Sequence, residues 1–112
     1  MESDIEQVEI SIEQARKLID ERDRARALTD NPDFKKLVLE GYFKDESVRL
    51  VLLKAEPGMQ TKEHQEAILK SMDGIGMLQQ YFRNIMQQGA MAERSLIDDQ
   101  ATLSELMAED LN

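Results

Sequence analysis

Imidazoles, thiolates and paired carboxylates carry most proton-transfer, metal and nucleophile chemistry, and this chain has few of them in a usable order. His64 is the only histidine. A ferritin-type metal centre needs Glu-x-x-His pairs from two helices plus further Glu residues, and here Thr61 stands three positions before the histidine. Asp98-Asp99 lacks both the spaced ligands and the glycine of a calcium loop. The chain contains no glycine-rich phosphate loop and no H-E-x-x-H motif. With no cysteine, disulfides, thiolate zinc sites and cysteine nucleophiles are excluded together. The carboxylates are numerous, but their spacing puts them on solvated helix faces where nothing apolar would raise a pKa. The residues predict no enzyme, no catalytic group, no cofactor and no metal.

Charge is distributed unevenly. The formal net charge is −9 over 112 residues. Residues 1–15 hold Glu2, Asp4, Glu6, Glu9 and Glu13 without a base, and residues 95–112 hold Asp98, Asp99, Glu105, Glu109 and Asp110 without one. Acidic ends keep a small protein in solution, and residues 1–10 and 107–112 are expected to fray. The alternative use is docking on a basic surface, for which Glu105, Glu109 and Asp110 are the candidates. The basic residues Arg16, Lys17, Arg22, Arg24, Arg26, Lys35 and Lys36 are interleaved with Asp20, Glu21, Asp23, Asp30 and Asp33, so their field largely cancels. Stacking aromatics are scarce, with three Phe, two Tyr and no Trp, and direct nucleic-acid contact is not expected. No apolar run approaches a membrane span and the first residues are acidic, so neither a transmembrane helix nor a signal peptide is expected.

The elements that must position these residues read as helices throughout. Ser3-Asp4-Ile5-Glu6 and Ser11-Ile12-Glu13-Gln14 both fit a capping box. Ile5, Val8, Ile12, Ala15 and Ile19 recur at steps of three and four. A first helix is expected from about Ser11 to Leu28, with 4–10 as an extension. Asn31-Pro32 supplies a preferred N-cap and N1 pair, with Asp33 in the first turn. A second stripe runs through Phe34, Leu37, Val38, Val48, Leu52 and Ala55. Gly41 and Asp45 interrupt it, which predicts a kink or break near Tyr42, and Pro57-Gly58 ends it. Gly41-Tyr42-Phe43 either fills that bend or meets a partner.

Thr61 can cap a long third segment. Ile68, Ser71, Ile75, Leu78, Phe82, Ile85, Gly89, Ala92, Leu96, Asp99, Leu103 and Leu106 form a heptad track. A continuous helix from Lys62 to Met107 would be about 69 Å long at ~1.5 Å per residue, more than the rest of the chain is expected to cover. Gly89 lies within a continuous or kinked helix, or marks a turn into a fourth helix near Ala90. Gly74 and Gly76 permit close helix approach, and Met91 and Met107 are candidates for a partner face. Acid-before-base pairs at Glu13/Lys17, Asp20/Arg24, Asp45/Arg49 and Glu66/Lys70 favour helix. No segment alternates with period two. The expected fold is all-α: one domain over 1–112, three to four helices, a helical hairpin or bundle with a long heptad-patterned C-terminal helix.

The run Asn31-Pro-Asp-Phe-Lys-Lys-Leu-Val-Leu-Glu-Gly-Tyr-Phe-Lys-Asp-Glu-Ser-Val-Arg-Leu-Val51 resembles a group of small, uncharacterised helical proteins of tailed bacteriophages. Ile75-Gly-Met-Leu-Gln-Gln-Tyr-Phe-Arg83 and Gly89-Ala-Met-Ala-Glu93 look like the second hallmark of the group. The resemblance implies a phage product located in the bacterial host cytoplasm or incorporated in the virion, and carries over no catalytic residue. Proteins of this type are similar to short helical products encoded among virion assembly genes. With the long heptad track and its uncovered apolar positions, the expected role is assembly, by self-association as a homo-oligomeric coiled coil or by binding a capsid or portal protein. The expected contacts are Leu78, Phe82, Ile85, Leu96, Leu103 and Leu106. The alternative is a small acidic inhibitor of a host enzyme or defence complex, using Glu105, Glu109 and Asp110.

Overall fold

The computed structural model describes residues 2–111, and among them every regular element is a helix. The all-α fold with a long C-terminal helix is as expected. Helix α1 covers Glu2–Thr29, α2 is a single turn over Pro32–Phe34, and a π-helix over Lys35–Asp45 leads directly into α3, Glu46–Lys54. A 3₁₀ turn at Pro57–Met59 precedes α4, a 50-residue helix over Lys62–Leu111.

α1 starts nine residues before the expected Ser11. Ile5 and Val8, both half-buried, continue the apolar stripe backwards, and the Ser11 hydroxyl is engaged elsewhere, donating to Asp99 Oδ2 at 2.6 Å. The acidic stretches 2–10 and 107–111 are helical. The Asn31 cap forms as expected: its Oδ1 accepts from the Asp33 and Phe34 amides at 2.9 and 3.1 Å, with Pro32 at the first helical position.

The break expected near Tyr42 is a π-helix instead, in which amides bond five residues back; the Glu46 amide donates to the Gly41 carbonyl. The reason lies in the aromatic spacing. Phe34 and Phe43 are nine residues apart, two and a half turns of an α-helix, which would set them on opposite sides. Wider turns bring both towards α4, where Phe34 packs edge-on against Phe82 (centroids 5.6 Å) and Phe43 joins the core. Gly41 allows the wide turn to close, because a Cβ there would lie 3.1 Å from the Lys36 carbonyl oxygen. Where the ladder returns to α geometry, Ser47 Oγ donates to the Phe43 carbonyl at 2.8 Å. π-Helices are mostly single-turn features found at functional sites, so an 11-residue example singles this segment out.

The connection to α4 is held by two amides. Gln60 Nε2 donates to the Lys54 and Glu56 carbonyls, and Gln65 Nε2 to those of Lys54 and Met59, at 2.7–3.0 Å. The bonds to Lys54 satisfy a carbonyl orphaned at the end of α3, and those to Glu56 and Met59 tie in the 3₁₀ turn. Thr61 Oγ1 accepts from the His64 amide at 3.2 Å and caps α4 as expected.

The chain divides into two units, residues 27–83 and residues 1–26 with 84–112, and α4 contributes to both. In the 27–83 unit the core is Leu50, Ile68 and Ile75, with Phe43, Leu53, Met59 and Met72 packed against it. In the other unit the buried apolar residues are Ile12, Ala15, Ala25 and Ala92, mostly small. Ser11–Asp99 and Arg22–Glu93 contacts show that α1 and α4 run antiparallel there. Because α1 is longer than expected, it covers the track from Ile85 to Leu106, for which the rest of the chain was expected to be too short. Two of the four expected ion pairs form, Glu13–Lys17 and Asp20–Arg24. The other two change partners: Arg49 turns to Glu46, the first residue after the π-helix, and Glu66 to Lys62.

Candidate functional site

The densest polar chemistry is a polar bar between α1 and α4 in the unit of residues 1–26 and 84–112, buried at Arg22 and open to solvent at its carboxylates. Arg22 is only 4% exposed. Its Nη2 donates to Glu93 Oε1 at 2.7 Å and its Nε to Asp23 Oδ1 at 3.1 Å. Gly89 explains how a side chain of this size crosses the seam. Arg22 Cβ and Cγ fill the space that a Cβ on Gly89 would occupy. α4 is continuous across Gly89, so the glycine marks a crossing and not a turn. The hydrogen bond to Glu93 holds the Arg22 guanidinium well above its ordinary pKa, against the opposing effect of burial. The same bond holds the Glu93 carboxyl below the usual carboxylate range. Both partners are thereby fixed in their charged forms, which serves cohesion and not proton transfer.

Among the described residues, open grooves flank this seam on both sides. One, of about 530 Å³, is lined by Glu9, Ile12, Glu13, Arg16, Gln100 and Leu103. The other, of about 270 Å³, includes Ala15, Leu18, Met91 and Ala92. Neither gathers titratable groups at hydrogen-bond distance.

The 27–83 unit presents different chemistry. It carries eight basic and nine acidic residues, against six and fourteen in the other unit. On α4, Met77 and Tyr81 are 69% and 61% exposed, and Leu78 stands beside them. The Tyr42 hydroxyl lies 3.7 Å from where a Cβ on Gly74 would be, one turn before Leu78. Pairing of Phe34 with Phe82 and of Tyr42 with Gly74 sets the register of this hairpin and puts Leu37, also exposed, level with Leu78. Gly41-Tyr42-Phe43 thus has split duties: Phe43 fills the core, while Tyr42 remains at the surface. On α3, Leu50 is buried, whereas Val48, Val51 and Leu52 face outward.

The residues expected as contacts share one side of α4 but differ in exposure. Leu78 is exposed. Phe82 packs on Phe34, and Ile85, Leu96, Leu103 and Leu106 are half-buried within the chain itself, with Leu103 beside Ile12. Much of the heptad track is thus the intrachain seam. Tyr81 was missed, and Met77 was passed over for Met91 and Met107, because both lie off that track, although their i,i+4 spacing next to Leu78 was a readable sign. Glu105, Glu109 and Asp110 are exposed near the end of α4, as is His64 near its start. Met91 and Met107 are exposed too.

Among the described residues no group of three or more His, Cys, Asp or Glu side chains is arranged to hold a metal ion, and no helix is long and apolar enough to cross a membrane. Comparison with protein families, curated proteins and solved structures finds no match to the chain.

Proposed function

We propose that this chain is a non-enzymatic helical assembly protein, of bacteriophage origin as the resemblance of residues 31–51 and 75–93 implies. It works by binding copies of itself or a larger virion protein such as a capsid or portal subunit, in the bacterial host cytoplasm or within the virion. The observation that carries this reading is the exposed apolar surface of Leu37, Tyr42, Met77, Leu78 and Tyr81 in a unit of nearly balanced charge. Burial of such surface is worth about 25 cal/mol per Å², and contiguous exposed patches of several hundred Å² mark interaction sites. The shifted titratable groups favour the same reading. Glu93 and Glu46 are lowered, and Arg22, Arg24 and Arg49 raised, each first by a hydrogen bond to an oppositely charged partner. A general acid or base needs a shift towards neutrality instead.

The test is the native mass by light scattering after size exclusion, at two protein and two salt concentrations. It is repeated with the capsid and portal proteins of the phage genome that encodes the chain. A discrete oligomer, or a complex with either protein, is the expected result. A folded monomer that engages neither would sink the proposal.

A second reading, the acidic inhibitor of a host enzyme or defence complex, draws on the excess of acid in the other unit and on exposed Glu105, Glu109 and Asp110. It requires binding that weakens steeply with salt and disappears when those three residues are neutralised. Binding to a basic host protein that persists unchanged at high salt would count against it.

A further inference from the structure

Ala67, Ser71, Gly74, Leu78 and Tyr81 follow one another along α4 at steps of four, three, four and three, and so form one edge of the helix. The edge is divided in two. Its first half is small and borders an open groove of about 190 Å³ between α3 and α4, lined by Arg49, Leu53, Met59, Ala67 and Ser71 among others. Its second half, Leu78 and Tyr81 with Met77 alongside, is large, apolar and exposed. Gly74 stands at the midpoint, next to the Tyr42 hydroxyl.

We propose that this edge is the contact between two copies of the chain, paired about a two-fold axis at Gly74 with their α4 helices antiparallel. The inference rests on the assembly reading and specifies its partner. In an isologous contact, residues equally distant on either side of the axis meet. Ala67 and Tyr81 each lie seven positions from Gly74, so each Tyr81 enters the groove of the other copy beside Ala67. Leu78 meets the Lys70–Ser71 step. Tyr81 therefore faces a small residue and Leu78 packs over Ser71 beside the Lys70 stem in both directions, the interdigitation that close helix packing requires.

Two observations select a second copy as the occupant. The 27–83 unit has eight basic and nine acidic residues, so two such units meet without strong repulsion; the other unit, with fourteen acids to six bases, would not. Tyr42, Met77, Leu78 and Tyr81 at their observed exposures offer roughly 500 Å² per copy, against the ~800 Å² per partner of a standard interface. The groove walls Arg49, Leu53 and Met59 border the rest of the contact.

The chain has no cysteine, so Gly74→Cys puts a single thiol on the axis, where the Cα atoms of the two copies come within disulfide range. Oxidation of the full-length Gly74→Cys protein is expected to yield a covalent dimer of twice the 12.9 kDa chain mass. Val51→Cys, on the outward side of α3, is the control and stays uncrosslinked. Independently, Tyr81→Asp is expected to halve the light-scattering mass while the helical circular dichroism is unchanged. A wild-type dimer that survives Tyr81→Asp overturns this contact and leaves assembly standing through another face. A wild-type monomer overturns the second copy as occupant, and a capsid or portal complex measured in parallel then decides the assembly reading separately.

Discussion

Arg22 lies across Gly89, its Cβ and Cγ taking up the volume that any side chain at position 89 would need. The guanidinium beyond reaches Glu93, one turn further along α4. A glycine inside a helix ordinarily weakens it by about 1 kcal/mol relative to Ala. At this position that cost permits a buried, paired arginine that fixes which turn of α1 meets which turn of α4. Together with Ser11–Asp99 it gives the seam two polar registers, where Ala15, Ala25 and Ala92 alone would slide with little penalty.

Gly89→Ala should therefore destabilise the protein despite the better helix propensity of Ala. The atoms in the way are the first two of the Arg22 side chain, which cannot swing aside without moving the α1 backbone. Overpacking of this kind costs about 1–3 kcal/mol. In an Arg22→Gly background the same substitution should be neutral or stabilising, and the sign reversal in a double-mutant cycle by urea denaturation is the check. Equal effects in both backgrounds would mean that the crossing carries no energy.

The pairing also sets a pH dependence. The Glu93 pKa is lowered in the folded protein, first by the hydrogen bond from Arg22, so the unfolded chain takes up the proton more readily. The stability it contributes is present above the unfolded pKa and lost as pH falls through the folded one. Glu46, held down by Arg49, acts with the same sign. Arg22 is raised, so its own contribution persists through neutral and acidic pH. Thermal melts of wild type and Glu93→Gln should differ at neutral pH and converge on acidification. Curves that stay parallel would place the acid sensitivity elsewhere.

Local signals were legible where chemistry within four residues decides the outcome. The Asn31-Pro32 start and the Thr61 cap depend on side chains next to the amides they satisfy. The track from Ile68 to Leu106 was legible because apolar periodicity carries across Gly89 without a change of phase. Ser11 misled because its cap pattern is local while its partner, Asp99, is 88 residues away. The π-helix was hidden for a related reason. Phe34 and Phe43 are out of phase for an α-helix, and only contact with Phe82 and the Ile75 cluster makes the wide turn favourable. The contact surface was half-legible: Leu78 belongs to the apolar period, but Met77 and Tyr81 flank it, and their exposure depends on which side of α4 the π-helix covers.

Two other helical glycines should respond in opposite ways to Ala. Gly76 has nothing within 4 Å of the place a Cβ would take, so Gly76→Ala should stabilise by about 1 kcal/mol through propensity alone. Gly41→Ala sets a methyl 3.1 Å from the Lys36 carbonyl oxygen, a backbone atom held in the π ladder, and should gain nothing or lose stability. Urea midpoints of the two variants are the measurement. A matching gain at Gly41 would show that the wide turn tolerates a side chain and that glycine is not what closes it.

The two faces of α3 offer the last test, because Leu50 and Leu52 differ by two residues and by much of their burial. Leu50 is 3% exposed within the Ile68–Ile75 cluster, and Leu52 is 65% exposed. Leu50→Ala removes packed methyl groups and leaves a void in a small core, at a cost of about 2–5 kcal/mol. Leu52→Ala changes only solvated surface and should stay within about 0.5 kcal/mol. Both are read by denaturant unfolding, with hydrogen exchange of the residue 62–75 amides as the local report. A dimer contact about Gly74 leaves Leu52 outside, so Leu52→Ala should also leave the native mass unchanged. A large loss of stability or mass at Leu52 would mean that the outward side of α3 is covered in the assembled protein, and the contact would then have to be moved from the Gly74 edge to this helix.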